Sequence, residues 1–150
     1  MASLLVFVAL VALAAYTGAS FPPGPWYASL TKPAWTPPDW LFAPVWTALY
    51  VAIAVAGWRL WRRTAGRFTP ALALWGAQLV LNAAWSFVFF GLRRPGWALL
   101  DIALLLACIA AFVWSARKAS PVSAALFVPY LLWVAFATAL NFEIRRLTYQ

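Results

Sequence analysis

The sequence predicts an all-α membrane protein: a five-transmembrane-helix bundle with an ordered proline- and tryptophan-rich loop capping one end. Three observations carry that expectation. Hydrophobic residues make up 66% of the 150 and charged residues only 9%, whereas soluble domains are roughly 45–50% apolar and about 25% charged. With a mean hydropathy of +0.84, the chain has more apolar surface than a soluble core can hide, so lipid must cover it. The apolar residues also fall into five runs, each close to the ~20 residues that cross a bilayer. Finally, residues 26–50 read WYASLTKPAWTPPDWLFAPVWTALY. That stretch is too rich in proline for a single helix and too aromatic for a solvated linker. An ordered lid over one end of the bundle fits it best. The length suits one domain, spanning residues 1–150.

Residues 2–20 form the first expected span. Small residues close the run, as they would a signal peptide, but no Lys or Arg precedes the apolar core. Residues 21–40 are the cap, where Pro-Pro and X-Pro steps favour extended and turn conformations. Residues 41–61 are the second span, with Pro44 tolerated in its first turn. Ala48, Ala52 and Ala56 recur along it at every fourth position, a small-residue stripe that lets another helix approach closely. Residues 68–92, 96–116 and 121–145 complete the five, with Pro129 as a kink point in the last. Short connections imply that successive spans pack as antiparallel neighbours. Runs this long exclude barrel strands. The protein is therefore expected to be integral and multi-pass. Six Lys/Arg fall on one side of the bundle and five on the other (eleven in all), a bias that leaves orientation open.

Composition removes whole classes of chemistry. There is no histidine and one cysteine, Cys108. Ser–His–Asp and Cys–His catalysis, an intrachain disulfide and His-ligated haem are excluded. Asp39, Asp101 and Glu143 are the only carboxylates, so no metal site is expected. The net charge of +8 does not indicate nucleic acid. The arginines sit at the ends of apolar runs, where they meet lipid headgroups. Asp101 is expected to pair with Arg93 or Arg94, or to bond the cap backbone. Trp58, Trp61, Trp97 and Trp114 lie at segment ends and read as an interfacial aromatic belt.

Counting depth at about 1.5 Å per residue from the capped side puts Trp46 at ~8 Å, Tyr50 at ~14 Å, Asn82 at ~15 Å and Trp85 at ~10 Å. Trp133 comes out at ~16 Å and Ala137 at ~10 Å on the same rise. The unusual residues thus share the half of the bundle beneath the cap, and the other half carries no comparable set. Gln78, Asn82 and Trp85 share one helix face, as do Trp133, Ala137 and Asn141. Polar groups at this depth face the interior or a cavity. Interhelical hydrogen bonding and plain core packing are the alternative readings. Indole walls with a few amide groups suit a large, flat, apolar ligand. Without histidine, a tetrapyrrole would be held by stacking.

The cap motif with PVWTALY, then AQLVLNAAWSFVFFG, RRPGWALLD and VPYLLWVAFATALNFEIRR, resemble the translocator protein family, also called tryptophan-rich sensory proteins or peripheral-type benzodiazepine receptors, and in particular its bacterial members. The resemblance implies a homodimer in a lipid bilayer that binds protoporphyrin IX, sterols and benzodiazepine-site drugs, with no cofactor required. It implies a ligand site of Tyr27 and Pro37 from the cap, Trp46 and Tyr50, Asn82 and Trp85, and Trp133 and Ala137. It also implies two further activities: light-dependent breakdown of protoporphyrin, in which Trp46 and Trp133 would be the photochemical residues, and transport of porphyrin or sterol. The family's sterol motif falls on Leu140, Phe142 and Arg146, with Phe142 standing where the motif has tyrosine.

Overall fold

The computed structural model describes all 150 residues, Met1–Gln150, as helices and short connections. They are α1 (Ala2–Ala19), α2 (Pro25–Ser29), α3 (Phe42–Arg63), α4 (Pro70–Ser86), α5 (Pro95–Ala116) and α6 (Pro121–Thr148). A 3₁₀ turn at Asp39–Leu41 leads into α3, and a π turn at Phe87–Gly91 ends α4. Four helices open on proline: Pro25, Pro70, Pro95 and Pro121. At that position the missing N–H has no helical partner anyway, and the fixed φ is already helical.

The five long helices are each apolar and long enough to cross a membrane. Their burial is inverted relative to a soluble protein. Leu5, Leu13, Val51, Val80, Leu104 and Leu132 are all exposed on the outside of the bundle, where acyl chains cover them. The interior is filled by Ile53, Ile109, Phe112, Phe127 and Tyr130, each fully buried.

Element ends differ from the sequence expectation for local reasons. Helix α4 starts at Pro70 rather than at residue 68, because the Thr69 hydroxyl accepts the Leu72 N–H at 3.2 Å and caps it. Helix α6 runs unbroken through Pro129 and on to Thr148. There the Thr148 hydroxyl accepts the Thr31 N–H at 3.2 Å, tying the last turn to the cap.

Around the bundle the order is α1, α3, α6, α5, α4, closing back on α1. Helices α4, α5 and α6 are successive neighbours, as short connections imply. Helices α3 and α4 are not extensively packed, which corrects that expectation for this pair. Phe7 of α1 wedges at their junction: its ring lies 4.9 Å from Trp75 and 6.5 Å from Trp61. The Trp75 indole reaches across and donates to the Ile53 carbonyl at 2.8 Å. Of the alanine stripe, Ala56 is buried, Ala52 half-buried and Ala48 exposed. Close approach occurs at Ala56, whose carbonyl accepts from Ser123 of α6 at 2.8 Å.

Asp101 does not pair with Arg93 or Arg94. Its Oδ2 is buried without a partner, two turns down α5, while both arginines are exposed beyond the π turn. The ion pair present is Arg146–Glu143, at 2.8 Å.

Candidate functional site

The cap is anchored by aromatic packing. Leu30 is buried with Phe89, Ala98, Leu140 and Ile144. The π turn of α4 directs Phe89 inward, where it meets Trp26 at 5.7 Å and Tyr27 at 6.2 Å. Such single wide turns interrupt α-helices frequently at functional sites. Lys32 Nζ lies 4.5 Å from the centre of the Tyr27 ring and donates to the Tyr27 carbonyl at 2.7 Å. Half-buried Pro37 lies between the turn closed by Thr36 N–H on the Pro33 carbonyl (3.1 Å) and the 3₁₀ turn.

Burial, and to a lesser degree the negative charge of Asp39, push the Tyr27 hydroxyl above its ordinary value. The folded cap therefore favours neutral Tyr27. As pH rises past the ordinary tyrosine range, the opened cap ionises first and is stabilised relative to the closed one. The contribution of neutral Tyr27 is full below the ordinary tyrosine value of about 10 and falls progressively as pH rises above it. Alkaline titration of tyrosinate absorbance should show one fewer late-titrating tyrosine in Tyr27→Phe.

Beneath the cap, three helices contribute one polar chain. The Tyr50 hydroxyl of α3 donates to Asn82 Oδ1 of α4 at 3.1 Å. Asn82 Nδ2 donates to the Tyr130 hydroxyl of α6 at 2.8 Å. Tyr130 in turn donates to Gln78 Oε1 at 2.8 Å. Trp46 sits over this chain, its ring 5.4 Å from Tyr50 and 6.3 Å from Tyr130. A second aromatic row joins cap to α6. Trp133 contacts Phe42 at 5.8 Å and Phe136 at 5.7 Å, and Phe136 meets Trp35 of the cap at 5.5 Å. Ala137, one turn on, is half-buried against the core. Trp85 stacks on Phe89 at 4.9 Å and donates to Asn141 Oδ1 at 3.1 Å.

The structure thus joins Trp46, Tyr50 and Asn82 directly. It places Trp133 and Ala137 on the facing helix α6, and joins Tyr27 to Trp85 through Phe89. A family model described as TspO/MBR matches residues 3–147. The chain belongs to the TspO/MBR family. It is 41% identical over 144 residues to the translocator protein of Bos taurus, covering 92% of this chain and 85% of the relative. It is 39% identical over 145 residues to the tryptophan-rich sensory protein of Cereibacter sphaeroides, with 97% and 90% covered. To the tryptophan-rich protein TspO of Archaeoglobus fulgidus it is 41% identical over 124 residues, with 79% and 77% covered. Family and spans together make it an integral multi-pass membrane protein.

In this TspO/MBR chain the C-terminal sterol motif does not form one surface. Leu140 is buried with Ile144, while Phe142 and Arg146 are exposed. Tyr130 is the site residue that the sequence reading missed, and it is the hub of the polar chain. A tyrosine at mid-span, one turn before Trp133, was the available signal. The belt reading fits Trp97 and Trp114, which are exposed. It does not fit Trp58 and Trp61, which are half-buried and packed against the core. The half of the TspO/MBR bundle away from the cap also holds features that the sequence did not suggest. An apolar cleft of about 370 Å³ opens there between α1 and α4, beside Val6, Leu10, Phe68 and Leu72.

Proposed function

We propose that this TspO/MBR protein is a membrane receptor or sensor whose aromatic site beneath the cap holds protoporphyrin IX or a similarly large, flat, apolar ligand. The observation that carries the reading is the convergence of Trp46, Tyr50, Asn82 and Tyr130 from three helices into one set of contacts beneath the cap. Indole faces would stack on the macrocycle, and the Asn82 amide would orient it. The name of the Cereibacter sphaeroides relative, tryptophan-rich sensory protein, supports a sensing role. Benzodiazepine-site drugs would compete for the same space. Sterol is a weaker expectation, since Leu140 and Phe142 face apart. A homodimer would use an outer face such as that of α4, where Ala73 and Ala77 are exposed.

The test is a titration of the reconstituted protein with protoporphyrin IX, read by tryptophan quenching. Trp46→Phe removes part of the stacking surface and Asn82→Ala the orienting amide. Each should weaken binding about three- to tenfold, the loss of roughly 0.7–1.4 kcal/mol of stacking or hydrogen bonding. Unchanged affinity in both rejects this site. Light-driven loss of porphyrin would use Trp46 and Trp133 as electron donors. Product formation that persists under illumination in Trp46→Phe and Trp133→Phe excludes that alternative.

A further inference from the structure

The three carboxylates Asp39, Asp101 and Glu143 all lie toward the capped end. The opposite end carries Arg59, Arg62, Arg63, Arg67, Arg117 and Lys118 with no acidic side chain to meet them. Most of this charge is solvated, but one part is built into a notch. Trp58, Arg59, Arg62 and Arg63 line a depression of about 240 Å³ in the last turns of α3. A water takes up about 30 Å³ of liquid, so the notch is roomy enough for a tetrahedral oxyanion. Two of the residues that line it carry a buried donor with no acceptor in the protein, Trp58 Nε1 and Arg59 Nε. Arg62 holds its guanidinium 5.3 Å from the centre of the Trp58 ring, which fixes a third donor group at the rim. Buried N–H groups at this depth are costly to leave unpaired. Unpaired donors on the lining residues, among cations without counter-charges, suit an anion with several acceptor oxygens.

We propose that this notch is a phosphate-type anion site, formed by Trp58 and Arg59 with Arg62 and Arg63 at its edge, on the side of the membrane away from the cap. It is distinct from the aromatic site and does not rest on it. The last turn of a spanning helix lies at the level of phospholipid headgroups, so the phosphate can come from an anionic lipid or from solution.

The test uses the full chain in detergent micelles and follows the Trp58 indole N–H by NMR, assigned from its loss in Trp58→Phe. Phosphatidylglycerol, phosphatidylcholine and inorganic phosphate are titrated separately. A saturable downfield shift with phosphatidylglycerol alone assigns the site to a lipid headgroup, and one with inorganic phosphate as well assigns it to free phosphate. Either supports the site. Arg59→Gln should weaken the binding about tenfold, while Arg117→Gln/Lys118→Gln, the same charge end outside the notch, should change it by less than about twofold. Should Arg59→Gln fail to fold, Arg62→Gln/Arg63→Gln is read in its place. A Trp58 resonance unmoved by every titrant, or equal losses in notch and control variants, overturns the proposal.

Discussion

Gly57→Ala is expected to destabilise the bundle by about 3 kcal/mol, more than a single methyl group costs in most helices. A Cβ at Gly57 would stand 2.4 Å from Trp75 Cε2, 2.5 Å from Trp75 Nε1 and 2.8 Å from Phe7 Cδ1. These are ring atoms in the interior, not the free ends of flexible chains. The Trp75 indole is held by its bond to the Ile53 carbonyl, and Phe7 is packed edge-on against it. Relief requires either moving α1 outward or swinging Trp75 off its acceptor. Overpacking costs roughly 1–3 kcal/mol, and orphaning the indole N–H and its carbonyl adds about 1–3 kcal/mol. Thermal unfolding in detergent measures the loss. Trp75→Leu in the same background should recover part of it, since the clash and the broken bond share that one side chain. A melting temperature unchanged by Gly57→Ala contradicts the three-way contact that separates α3 from α4.

The second large effect is expected at Tyr130. Tyr130→Phe keeps the shape of a fully buried ring but removes the hydroxyl that joins Asn82 to Gln78. The Asn82 Nδ2 donor and the Gln78 Oε1 acceptor, both on buried residues, then each lose their shared partner. Hydrogen bonds between membrane helices average only about 0.6 kcal/mol, with a maximum near 1.7. Two stranded amides therefore put the loss at about 2 kcal/mol rather than at the larger soluble-core figure. The same change frees Asn82 to rotate, and Tyr50 follows because its hydroxyl donates to Asn82 Oδ1. Porphyrin affinity should consequently fall about fivefold although Tyr130 lies below Trp46. Tyr50→Phe, which leaves the Asn82–Tyr130–Gln78 links intact, should lose less than half as much stability. Equal losses in the two variants would place the hub elsewhere.

Which parts of this architecture were legible in the sequence follows from what hydropathy and spacing can encode. The five spans, the cap and the placing of Trp46, Tyr50, Asn82, Trp85 and Trp133 in the capped half of the bundle are local or additive properties, readable by counting along the chain. The order of helices around the bundle is not. It depends on Phe7, Gly57 and Trp75, far apart in sequence, fitting one junction. A short connection specifies proximity of two ends only. The π turn at Phe87–Gly91 carries no period that distinguishes it from an ordinary apolar helix end, yet it aims Phe89 at the cap. Asp101 looked pairable because Arg93 and Arg94 are close in sequence, but the turn at Pro95 turns them outward. Trp58 read as a belt residue because position along a span predicts depth and not facing. Its packed ring and unpaired N–H emerge only when the arginines one turn on are placed beside it.

The most direct measurement is the position of protoporphyrin IX in a structure of the ligand-bound protein in lipid. The macrocycle is expected beneath the cap, between Trp46, the Asn82 amide and Trp133, with Tyr27 and Pro37 above it. A porphyrin lying instead in the lipid-facing cleft beside Leu10 and Phe68, with side chains closing the space between Trp46 and Trp133, would contradict it.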